Sequence, residues 1–109
     1  MENERELLEL AAKAEGKNID AETFGEYQDD HRGYVVADGD HWNPLTDDGD
    51  ALRLAVNLGI APIQHLEERL CAAHWTDIMC RLESYKDDPY AATRRAIVRA
   101  AAELGKQMA

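Results

Sequence analysis

Apolar positions along the chain fall into three segments with helical spacing, separated by segments of strand-like composition. The first segment predicts a helix over residues 3–15, with Leu8 at the edge of its apolar face. Acidic residues in its first turns suit the helix dipole, and Gly16 is placed to end it. The face itself is predicted to consist of Leu7, Leu10, Ala11 and Ala14.

Two further helices are predicted, over residues 47–58 and 89–105. Acidic residues lie at the start of the first, and Gly59 favours a left-handed end. Asp88 and Pro89 are typical of an N-cap and a first helical residue. The apolar stripe of residues 47–58 is Ala51, Leu52, Leu54, Ala55 and Leu58. The stripe of the last helix is Tyr90, Thr93, Ile97, Ala100, Ala101, Leu104 and Met108.

Strands are predicted where the helical period disappears. Residues 33–37 are strand-prone, and residues 21–27 predict a weaker strand, joined to it by a hairpin across 28–32. Between the second and third helices the pattern is mixed. There we expect a short strand from Ile60, a helical or irregular stretch over Glu67–His74 and a strand over Thr76–Tyr85.

These elements predict one α+β domain over residues 1–109, with three helices packed on a small antiparallel β-sheet. A chain of 109 residues is long enough to bury one core. Its hydrophobic fraction of 45% and charged fraction of 31% are those of a globular protein. The core is predicted to contain Leu7, Leu10, Val35, Leu54, Leu58, Ile97 and Leu104.

The formal net charge of −10 is concentrated in the first half of the chain. Residues 1–50 contain four basic and fifteen acidic side chains, whereas residues 51–109 contain eight and seven. Because phosphate binding needs clustered Lys and Arg, we expect no direct binding to nucleic acid or to an anionic membrane. The acidic, polar N-terminus does not resemble a signal peptide, and no apolar run is long enough to span a bilayer. The two cysteines are therefore expected to be reduced and cytoplasmic.

Two groups of side chains raise the question of metal binding. If residues 67–74 were helical, Cys71 and His74 would lie one turn apart, as two zinc ligands often do, and His65 and Cys80 flank them. Their spacing matches no standard zinc finger, and buried cysteines with half-exposed histidines explain the same residues. A zinc site on these four residues is the alternative hypothesis, and no cofactor is the primary one.

The second group contains six oxygen-bearing side chains just before and within the first turn of the helix at 47–58, which suggests calcium or magnesium. It lacks the residue order of a calcium-binding loop, and turn and cap roles explain it better. Its members are Asp38, Asp40, Asn43, Asp47, Asp48 and Asp50. No serine elbow, phosphate-binding loop or nucleophile motif is present, so nothing in the chain favours an enzyme.

The last helix carries the main basic face of the chain, formed by Arg94, Arg95 and Arg99. These arginines are expected to pair with acids of the same chain or of a second copy. The apolar stripe is long, and the small residues Ala96, Ala100, Ala101 and Ala102 allow another helix to approach closely. A two-fold homodimer through this helix is therefore predicted, with a monomer as the alternative.

Three stretches of the chain together resemble a group of small proteins from tailed bacteriophages and prophages of Gram-negative bacteria. They are ELLELAAKA at residues 6–14, WNPLTDDGDALRLAV at 42–56 continuing to LGI at 58–60, and DPYAATRRAIVRAAAELG at 88–105. Residues 61–85 depart from this pattern, where the group would have a short β-hairpin. The resemblance implies a phage origin and action inside the bacterial host, and it supplies no catalytic or binding residues.

The expected function is that of a phage accessory protein acting by contact with a host protein in the host cytoplasm. An inhibitor of a defence protein or of a nucleic-acid-handling protein would fit, since an acidic surface is complementary to a basic cleft. A small zinc module or an enzyme is the alternative. The candidate partner-binding residues are Glu22, Glu26, Asp29, Asp30, Asp38 and Asp40.

Overall fold

The computed structural model describes residues 4–17, 19–20, 34–36, 41–76 and 79–108, and they form an α+β fold. The helices are α1 (Glu4–Glu15), α2 (Asp48–Leu58) and α3 (Pro89–Gln107). The strands are β1 (Ile19–Asp20), β2 (Tyr34–Val36), β3 (His41–Trp42), β4 (Ala61–His65), β5 (Leu70–His74) and β6 (Cys80–Ser84). The predicted fold class and all three predicted helices are confirmed.

The ends of α2 and α3 are set by capping residues close in the chain, so their bounds could be predicted from the sequence. The Asp47 carboxylate accepts a hydrogen bond from the Asp50 amide at 2.7 Å, and α2 ends at Gly59 with φ of 71°. The Asp88 carboxylate accepts from the amides of Tyr90 and Ala91 at the start of α3. Helix α3 continues two residues past its predicted end, to Gln107.

The strands form two antiparallel sheets of three strands, in the orders β1-β2-β3 and β4-β5-β6. Strand β2 confirms the strand predicted over residues 33–37, and it pairs with β1 on one side and β3 on the other. The strand predicted over residues 21–27 and its hairpin across 28–32 lie outside the described residues. The two sheets replace the one small sheet expected from the sequence.

The helical or irregular stretch predicted over Glu67–His74 is wrong. Residues 66–69 form a turn, in which Arg69 adopts a left-handed φ of 56°, and Leu70–His74 is the central strand of the second sheet. A short apolar run such as Leu70–Ala73 fits a buried helix and a buried strand equally well, so pairing with β4 and β6 decided the outcome. Where the resemblance implied a hairpin, the described residues form three strands.

Helix α3 is the centre of the core and is enclosed by the other elements. Helix α1, helix α2 and the sheet β4-β5-β6 all pack against it. Its small residues allow these neighbours to approach closely. The buried residues therefore lie on several sides of the helix and do not form a single stripe. They are Ala92, Ala96, Ile97, Val98, Ala100, Ala101, Ala102 and Gly105. Tyr90 and Met108, the predicted ends of the stripe, are exposed.

The core prediction is correct for α2 and α3 at their centres, but in α1 other residues are buried than those predicted. Leu54 and Ile97 are buried, while Leu7, Leu58 and Leu104 are partly buried at the margin of the core. In α1 the buried residues are Leu8, Ala11 and Ala12, and Leu10 is half-buried. The backbone of α1 lies very close to α3, since a Cβ atom at Gly105 would overlap the Leu10 carbonyl oxygen. The side chain of Val35 lies outside the described residues.

A candidate protein-binding groove

A groove of about 210 Å³ lies between α2, β4 and the first turns of α3. Its floor is formed by Ala51 and Ile97, which are both buried. Its rim carries Leu52 and Tyr90, whose exposed fractions are 61% and 69%. The full lining is Asp48, Ala51, Leu52, Pro62, Gln64, Tyr90, Thr93, Arg94 and Ile97.

The turn that precedes α2 positions the α2 wall of the groove. The Asn43 amide donates to Asp50 Oδ2 at 2.9 Å, and Asn43 Oδ1 accepts from the Leu45 amide at 2.9 Å. Trp42 and Pro44 are buried beside this turn. Asp47 and Asp50, two of the acids considered for a calcium site, therefore have structural roles. Asp47 caps α2, and Asp50 binds the turn that precedes the helix.

The polar side chains that line the groove bond to one another and to the backbone. Gln64 Nε2 donates to Thr93 Oγ1 at 2.8 Å, and the Tyr85 hydroxyl donates to Gln64 Oε1. The Thr93 hydroxyl in turn donates to the Pro89 carbonyl at 2.8 Å. Arg94 donates to the Leu45 carbonyl at 2.8 Å and to Asp48 Oδ1. Because these polar groups already have hydrogen-bond partners within the chain, the surface that the groove offers to another molecule is mainly apolar.

The arginines predicted to form a basic face on α3 are paired with acids of the same chain. Arg94 pairs with Asp48, whereas Arg95 and Arg99 both pair with Glu83 on β6. The alanines predicted to receive a second copy are covered by the chain itself. Neither feature now favours a dimer through α3, and self-association through this helix stays a prediction. Beside the groove, a side-chain hydrogen bond to Asp50 raises the pKa of Arg53, which keeps its positive charge.

Replacing Glu83 by glutamine is expected to lower the free energy of unfolding by about 1–2 kcal/mol. The Glu83 carboxylate is nine-tenths buried and holds two guanidinium groups, so the substitution weakens two charge-assisted hydrogen bonds. Glu9→Gln is the matched control, since the Arg5–Glu9 pair is exposed and such pairs contribute about 0.3–0.5 kcal/mol. Urea denaturation measures both values. Equal losses for the two variants would show that Glu83 does not join β6 to α3.

The four residues of the zinc hypothesis are not all brought together, although His74 and Cys80 lie opposite each other on β5 and β6. Cys71 is fully buried against the helices, while Cys80 is exposed. Successive strand residues point to opposite faces, so Cys71 and His74, three residues apart on β5, face opposite sides of the sheet. Within the part of the chain that the structure describes, no three His, Cys, Asp or Glu residues are grouped as a metal site.

The six acids predicted to bind a partner all lie outside the described residues. The groove itself was missed by sequence reasoning. Leu52 was predicted to belong to the apolar stripe of α2, but it is exposed on the rim of the groove, and Val56, also exposed, lies outside that stripe. An apolar residue outside the buried stripe of a helix is a candidate for an exposed contact.

Within the described residues, no helix has the length and apolarity needed to cross a membrane. No protein-family model, curated protein or solved structure matches this chain.

Proposed function

We propose that this chain is an accessory protein of a tailed bacteriophage or prophage that acts in the host cytoplasm by binding a host protein. The observation that carries protein binding is the apolar groove with Leu52 and Tyr90 on its rim. The resemblance of the α1, α2 and α3 segments to small phage proteins supports the origin. A host protein of defence or of nucleic-acid handling is the class of target that the charge of the chain favours.

The size of the groove favours a side chain of a protein over a cofactor. Sites for cofactors and other small molecules generally enclose about 300–1,000 Å³, and this groove is smaller. Its buried floor of Ala51 and Ile97 can desolvate one large apolar side chain of a partner. Binding energy at protein interfaces is concentrated in such anchors, which are surrounded by contacts of little individual effect.

The charge of the chain favours a basic partner. The formal net charge is −10, and the three arginines of α3 are already paired with Asp48 and Glu83 of the same chain. An acidic protein is attracted to a basic cleft, which raises the association rate and makes it sensitive to salt. The predicted acidic contacts Glu22, Glu26, Asp29, Asp30, Asp38 and Asp40 would supply this attraction, and the groove would supply the anchor.

Replacing Leu52 by aspartate is expected to weaken binding of the host partner about 30-fold, the effect of losing one interface hot spot. The partner is first captured from a lysate of a Gram-negative host, then purified and titrated against each variant at low and moderate salt. Val56→Asp is the matched control. Val56 is an exposed apolar residue one turn further along α2, and it does not line the groove.

The two variants separate the groove from a general effect of added charge. Both sites are exposed, so neither substitution is expected to change stability by more than about 0.5 kcal/mol. Capture of no host protein at either salt concentration would contradict the proposed function. Equal weakening by both variants would leave protein binding intact and remove the groove as its site.

A further inference from the structure

The outer face of the sheet β4-β5-β6 carries no formal charge. Strand pairing aligns its outward residues in rows, while the opposite face, with Cys71 and Ala73 buried, packs against α3. None of the outward residues is Asp, Glu, Lys or Arg, although 31% of the chain is charged. They are Ala61, Ile63, His65, Leu70, Ala72, His74, Cys80, Leu82 and Ser84.

The centre of this outer face is an apolar row in which the two outer residues are exposed and the central one, Ala72, is buried. Ile63, Ala72 and Leu82 lie opposite one another on the three strands. Ile63 and Leu82 are 45% and 59% exposed, on either side of the small Ala72. An uncharged face with exposed apolar side chains lets a second chain of the same net charge approach without placing like charges against each other.

At one end of the face, His74 on β5 is directly opposite Cys80 on β6. The Trp75 amide donates to the Met79 carbonyl, and the Tyr85 amide donates to the Arg69 carbonyl. Hydrogen-bonded and non-hydrogen-bonded pairs alternate along an antiparallel ladder. Trp75–Met79 is a hydrogen-bonded pair, so the adjacent pair His74–Cys80 is a non-hydrogen-bonded one, and Arg69–Tyr85 fits the same alternation. In such pairs the Cα atoms lie about 4.5 Å apart and the side chains are closest.

We propose that His74 and Cys80 form half of a zinc site, which is completed by the same two residues of a second copy of this chain. Imidazole nitrogen and thiolate sulfur bind Zn²⁺ at about 2.0–2.1 and 2.3 Å, distances that two adjacent cross-strand side chains can reach together. Two copies supply two imidazoles and two thiolates, the tetrahedral donor set of many structural sites. Each thiol loses its proton to solvent on binding, so the occupied site carries no net charge.

The size of the face explains why the metal is needed for the dimer. Three strands of five residues cover roughly 16 by 14 Å, from the usual rise and strand spacing. This is far below the approximately 800 Å² that each partner buries in a stable interface. Apolar contact of this face alone is therefore too weak for a stable dimer, and the shared zinc ion supplies the remaining affinity.

The test is a zinc titration of the full chain, purified without a histidine tag and kept reduced with a phosphine. Light scattering is expected to show a mass near 12.2 kDa without metal and about twice that mass with zinc. The dimer is expected to form with about half an equivalent of zinc per chain and to dissociate with a chelator. Cobalt in place of zinc is expected to show thiolate charge-transfer absorption at the same stoichiometry.

Single substitutions test which residues bind zinc. Cys80→Ser and His74→Ala are each expected to weaken zinc-dependent dimerisation more than 100-fold. Loss of a residue that only hydrogen-bonds to a metal ligand has a smaller effect, roughly 10–100-fold. His65→Ala is the matched control, because His65 is on the same face at the other end of the sheet. The proposal is overturned by a mass that zinc leaves unchanged, by a dimer that forms without metal, or by full zinc-dependent dimerisation of Cys80→Ser. None of these outcomes bears on binding at the groove.

Discussion

Replacing Leu54 by alanine is expected to lower the free energy of unfolding by about 2–5 kcal/mol. Leu54 is the fully buried leucine of α2, on the face that packs toward α3, and its exposed fraction is 0%. The substitution removes apolar surface from the core and leaves a cavity that close-packed neighbours fill only in part. The loss is a large share of the stability of a domain of this size.

Leu52→Ala is the matched control for this prediction, with the same chemical change two residues away on the same helix. Its side chain is mostly exposed on the rim of the groove, so we expect a change within about 0.5 kcal/mol. Urea denaturation of both variants with a common slope gives the two values. A Leu54→Ala variant that unfolds at the urea concentration of the parent would show that α2 does not pack as described.

Replacing Gly105 by alanine is expected to lower the free energy of unfolding by about 1–3 kcal/mol. Helix propensity alone predicts the opposite sign, since alanine is favoured over glycine by about 1 kcal/mol within a helix. A Cβ atom at Gly105 would overlap the carbonyl oxygen of Leu10 and lie 2.9 Å from its carbonyl carbon. Because both atoms belong to the backbone of α1, relief requires that α1 move away from α3.

Gly49→Ala on α2 is the matched control for the close contact. The three atoms nearest to a Cβ atom there would be side-chain ends of Arg53 and Asp47, at 3.2 Å. Arg53 is long and exposed and can move, so the variant is expected to stay within about 1 kcal/mol of the parent. If Gly105→Ala were as stable as the parent in thermal and urea denaturation, the contact between α1 and α3 would be looser than described.

The helices were predictable from the sequence because their signals are local. Asp47 and Asp88 bond to amides two or three residues away, and Gly59 adopts its left-handed conformation within its own turn. Most of the buried side of α2 was also predicted, since Ala51, Leu54 and Ala55 repeat at the helical period, but Leu52 was wrongly included. These features depend on residues close in the chain, so composition and spacing were sufficient to identify them.

The tertiary structure decided those features that depend on contacts between distant residues. The run Leu70–Ala73 became a strand because β4 and β6 pair with it, and the backbone of α1 at Leu10 came into close contact with α3 at Gly105. The groove exists only where α2, β4 and α3 meet. The same pairing that separated Cys71 from His74 brought His74 opposite Cys80. Register and close approach between elements are set by the packing of the whole domain, which spacing along the chain does not specify.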